Sequence, residues 1–172
     1  GPMGPMPLGL RNDQLDGPVN LGGVDLPQLA VWAEGGLLSG KFKGAGAHQP
    51  LTDPTSAAAK ALPVETRART YLAVQCASCH RPGAAGQASM DLRLETGLAA
   101  SKTCGATPQH GDMGVAGAQI LKPGAPQQSV LHLRAAVAPG VEGFMPKLGV
   151  SVPDGPGVAL IKDWIAGLKG CP

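Results

Sequence analysis

Aromatic side chains are scarce in this chain: two Trp, two Phe and one Tyr among 172 residues. Aromatics ordinarily supply much of a core's buried area, so the core must rest on Ala, Leu and Val or include something other than side chains. Charge is sparse too, at 15% of residues with a net charge of +2, and this excludes the basic footprint of a nucleic-acid binder. Disorder is excluded because low charge accompanies 43% hydrophobic residues. No apolar run approaches about 18 residues, so no membrane span is expected. No segment alternates apolar and polar residues with period 2, so no strand is expected either. What is abundant is Gly (26) and Pro (17), a quarter of the chain, which implies many turns and long loops.

Along the chain, Gly1-Pro2-Met3 reads as the remnant of a cleaved expression tag. Residues 4–59 read as an N-terminal extension and 60–172 as the principal domain. Within the extension, a helix is expected from Asp25, a suitable N-cap, to a stop at Gly35-Gly36, with Leu26, Leu29, Ala30, Ala33 and Leu37 as an apolar stripe at helical spacing. A helix this short is marginal alone, so the extension is expected to pack on the domain. A second helix is predicted from Pro63, with Val64, Ala68, Tyr71, Leu72, Cys76 and Cys79 on one 3.6-residue face, stopped at Pro82-Gly83. Shorter helices are predicted over 92–100 and 126–137. The last helix carries Val158, Ile161, Trp164, Ile165 and Leu168 on one face, with Asp154 upstream and Gly170 at its end.

Cys76-Ala77-Ser78-Cys79-His80 is the pattern C-x-x-C-H. Four Cys and four His in a chain of this length would produce it about 0.002 times by chance. Two thiols at this spacing can each add to one vinyl group of a single porphyrin, and the adjacent imidazole then serves as the proximal iron ligand. Covalent haem c, one per chain, is the expected cofactor. It would also supply the large apolar body that the scarcity of aromatics leaves wanting. The competing chemistries are a zinc site drawn from Cys76, Cys79, Cys104 and His110, which lacks a second C-x-x-C knuckle, and a redox dithiol, which lacks a βαβ context.

The sixth iron position has several candidates in the sequence: Met90, Met113, Met145, His48, His110 and His132. Met145 is favoured because Gly143-Phe144-Met145-Pro146 places it on backbone stiffened by the following proline. Cys104 and Cys171 remain. Haem of this type is attached outside the cytoplasm, where disulfides persist, so these two are expected to pair.

The stretch from Arg67-Ala68-Arg69-Thr70-Tyr71-Leu72 into Cys76-Ala77-Ser78-Cys79-His80-Arg81-Pro82-Gly83 resembles secreted or periplasmic c-type cytochrome domains, including the planctomycete-type modules found at the C-terminus of multidomain proteins. Further similarity lies in Cys104-Gly105, Pro108-Gln109-His110-Gly111-Asp112, Pro123 to Leu131 and Met145-Pro146-Lys147-Leu148-Gly149, where Lys147 replaces the second proline expected. The resemblance covers 60–171. It implies an all-α, loop-rich, class I cytochrome c-like fold around one haem, with His80 and Met145 as axial ligands. It further implies a periplasmic or extracellular monomer that carries electrons and is not an enzyme. The partner would be a redox protein, a secreted copper oxygenase or another cytochrome. The competing function is a peroxidase-like haem enzyme with an open or labile sixth site, for which His110, His132 and Arg134 are the available groups.

Overall fold

The computed structural model describes residues 12–38, 51–84 and 89–172. The tag residues 1–3 and His48 therefore lie outside the described residues. The chain divides into two compact units, residues 1–52 and 53–172. Five α-helices and one two-stranded sheet are present among the described residues.

The first unit corrects the all-α expectation. After a short helix α1 (Asn12–Leu15) comes an antiparallel hairpin of β1 (Pro18–Leu21) and β2 (Val24–Pro27), with Val19 opposite Leu26 and Leu21 opposite Val24. Gly22 and Gly23 form its two-residue turn, with φ of 62° and 90°, the positive pair that a twisted hairpin requires. Asn20 closes the turn, accepting from the Gly23 N–H at 3.1 Å and donating to the Asp25 carboxylate at 2.8 Å. Asp25 is thus a strand residue and not a helix cap. The helix α2 (Gln28–Glu34) begins only after the extended Pro27. Of the anticipated stripe, Leu29 is buried whereas Leu26 and Leu37 are exposed. The stop at Gly35-Gly36 is as read: the Gly36 and Leu37 N–H groups return to the carbonyls of Ala33 and Trp32, a Schellman closure with Gly36 at φ 69°. The fold is therefore a small mixed α/β, loop-rich one, not the all-α cytochrome-like class.

The second unit is built on α3 (Val64–Gln75) packed against α5 (Gly155–Gly167). Ala68 and Leu72 from α3 meet Leu160, Ile161, Trp164 and Ile165 from α5, with Leu121 from the intervening loop. The crossing is close because Gly157 accepts the Tyr71 ring where a Cβ would stand. Asp154 caps α5, accepting from the Gly157 N–H at 3.2 Å. Its proximity and burial together hold the Tyr71 phenol far above its ordinary pKa, burial being the larger cause. Between α3 and α5 lies α4 (Val130–Ala136), preceded by a 3-10 turn over Pro126–Gln128.

Two local expectations are corrected. Residues 92–100 form turns, not a helix, because the Asp91 carboxylate accepts from the Arg93 backbone N–H at 3.1 Å and the Thr96 hydroxyl at 2.9 Å, local bonds that compete with helix formation. And α3 ends at Gln75, so the two cysteines do not ride its face: Cys76 is the cap, and the motif continues as a turn. Cys104 and Cys171 are joined by a disulfide across a sequence separation of 67.

Candidate functional site

The end of α3 fixes where the motif histidine stands. The Cys79 and His80 N–H groups both bond to the Cys76 carbonyl, at 3.1 and 2.9 Å, and the Leu92 N–H donates to the His80 carbonyl at 2.9 Å. The His80 backbone is thereby held from both sides, and its side chain lines an open cleft of about 140 Å³. Leu92, Ile120, Val130 and Leu131 make the walls apolar. Into the same cleft the 138–153 loop brings Met145, whose N–H donates to the Arg134 carbonyl at the end of α4 at 2.9 Å. The preceding Phe144 is buried.

Of the sequence-derived sixth-ligand candidates, Met90 and His110 also line the cleft. Met113 and His132 do not; Met113 packs on the Gly143 backbone instead. Neither thiol of the motif lines the cleft: Cys76 packs against the helix core, where burial and then the neighbouring Cys79 push its pKa up to about 12. Both are free of disulfides.

His80 Nδ1 is buried without a hydrogen-bond partner. Burial, and secondarily the Arg134 guanidinium, hold the His80 pKa below its ordinary value, so the imidazole is kept neutral with a lone pair to offer. A neutral imidazole and a thioether sharing one apolar cleft are the donor set of a haem iron. The zinc alternative fares worse, since the disulfide removes Cys104 from the ligand set, and no group of three or more His, Cys, Asp or Glu is suitably clustered among the described residues.

Arg134 is the site residue that reading by spacing undervalued. Its guanidinium donates to the carbonyls of His110 and of Gly111 (3.2 Å), and reaches that of Gly143 at 3.5 Å. The one local signal was Val130 and Arg134 at i and i+4, which puts both on one face of α4.

Comparisons with protein families, curated proteins and solved structures found no match to this chain.

Proposed function

We propose that the chain holds one haem c, bonded through Cys76 and Cys79, with His80 and Met145 as axial ligands, and that it works as a one-electron carrier. The observation that carries this reading is that the histidine of C-x-x-C-H and a methionine far along the chain line one apolar cleft. When bound, such a haem supplies a ferric/ferrous couple whose potential methionine ligation raises. The chain's own part is to present neutral His80, to hold Met145 through its backbone bond to Arg134, and to exclude water with Leu92, Ile120, Val130 and Leu131. A protein so arranged passes electrons and performs no bond chemistry. The partner would be a redox protein such as a secreted copper oxygenase or another cytochrome. The Cys104–Cys171 bond supports a periplasmic or extracellular setting.

A peroxidase-like second reading draws on His110 and Arg134, which line the same cleft. It is the weaker, because the Arg134 guanidinium is engaged by backbone carbonyls and is not directed to a peroxide.

The test is production in a host that matures c-type cytochromes. Mass spectrometry of the denatured protein should show one haem still attached, and an unmodified polypeptide refutes the proposal. The ferric protein should show the far-red charge-transfer band of methionine ligation, and Met145→Ala should abolish it and lower the potential. A high-spin ferric spectrum in the unaltered protein would favour the enzyme instead.

A further inference from the structure

Two loops meet over the cleft, one through Pro108 and His110, the other through Gly143 and Met145, and one side chain touches both. Arg134, near the end of α4, sends Nη2 to the His110 and Gly111 carbonyls and Nη1 to the Gly143 carbonyl. Its own carbonyl accepts the Met145 N–H at 2.9 Å. The same residue therefore grips the ligand-bearing loop by backbone and by side chain, and ties it to a loop more than twenty residues upstream of Arg134 itself.

We propose that Arg134 is the positioning residue of the site, its planar guanidinium bridging the two loops so that Met145 stays in the cleft that His80 lines. The inference rests on the ligand reading above and extends it to the group that sets how firmly the sixth ligand is retained.

Two further observations support it. Gly143 has φ of 84°, and a Cβ there would collide with the Met113 side chain, so the loop backbone at Gly143 is seated between Met113 and Arg134. Arg134 is half-buried, and both its terminal nitrogens are used. A fork of fixed geometry can span carbonyls on two loops at once, whereas a lysine ammonium on a flexible stem acts as a point charge. Lysine at 134 would keep the charge but lose the bridge. That distinction separates positioning from simple charge.

The test uses the ferric holo-protein, with cyanide as the probe, because cyanide binds only when the methionine has left. An apparent affinity scales with the fraction of molecules in the competent, open state. Arg134→Gln and Arg134→Lys should each raise cyanide affinity roughly ten- to hundredfold, the range expected for losing a charged hydrogen bond, and should fade the far-red band at a pH where the parent retains it. Hydrogen exchange supplies a readout independent of the iron: the amides of 143–145 should exchange faster in both variants, with α3 and α5 unchanged. Parent-like cyanide affinity and parent-like exchange in both variants would overturn the proposal, as would full rescue by lysine. A fall in unfolding midpoint without any change in cyanide affinity would likewise reduce Arg134 to a structural role and overturn it. A parent protein without the far-red band, or one whose band survives Met145→Ala, would refute the ligand reading itself, and this is seen before any Arg134 variant is made.

Discussion

Replacing Cys104 and Cys171 together with serine removes a cross-link whose ends are 67 residues apart. On the loop-entropy model a closure of that length is worth about 4 kcal/mol. The local geometry argues that chain entropy is most of what is lost. The Gly105 N–H still bonds to the Leu121 carbonyl at 2.9 Å, and the Leu121 N–H to the Thr103 carbonyl at 3.1 Å, so the segment around Cys104 keeps its own ladder. At the other end Cys171 is exposed, beyond α5, and makes little core of its own. Urea unfolding followed by far-UV circular dichroism should therefore show a drop of about 4 kcal/mol, with a steeper slope because the unlinked unfolded chain exposes more surface. In a thermal scan the same change corresponds to about 15 °C. Both motif cysteines lie outside the closed span, so, on the haem proposal, haem content per chain should be unaffected. A loss below about 1 kcal/mol would refute the argument, since it would mean that the unfolded chain is already constrained or that the bond strains the fold.

Gly157→Ala places a methyl group on the Tyr71 ring and should cost about 1–3 kcal/mol by overpacking. Adding Tyr71→Leu should recover much of that loss, and strict additivity of the two changes in urea titrations would show that the contact does not matter. Asp91 supplies a pH dependence: the Arg93 hydrogen bonds, foremost among its causes, hold its carboxyl well below the ordinary range. The folded state thus favours the ionised form, so its stabilisation is complete at neutral pH and is lost as pH falls below about 4. Asp91→Asn should lower the urea midpoint at pH 7 and flatten the decline in acid; an acid decline as steep as the parent's would contradict this.

How much of this was legible in the sequence depends on whether a feature is local. The face of α5 was readable: Ile161, Trp164 and Ile165 are buried, and Asp154 caps the helix. Gly157 escaped notice, because a residue chosen for having no side chain leaves no mark in a hydrophobic pattern. In α3, Ala68 and Leu72 are buried as the period requires, but Val64 is exposed and Thr70 is buried. The hairpin was missed for a physical reason. Leu21, Val24 and Leu26 are all exposed, so neither strand has a buried face to impose period 2, and the Gly-Gly turn was its only available signal. The bridging role of Arg134 was hidden beyond its i and i+4 placement with Val130, since its partners lie 23 and 24 residues before it and 9 after it.

The cleft itself is assembled from two stretches of chain that meet only in the folded unit. His80, Met90 and Leu92 precede the disulfide-closed span, whereas His110, Ile120, Val130, Leu131, Arg134 and Met145 lie inside it. Within the first stretch, the Leu92-to-His80 backbone bond holds the parts in place; within the second, the Met145-to-Arg134 bond does so. What joins the two halves is the packing of α3 on α5 and of Leu121 and Leu131 against it. The disulfide closes the second stretch on itself by anchoring the end of the chain to residue 104, and so leaves the join between the two halves to that packing.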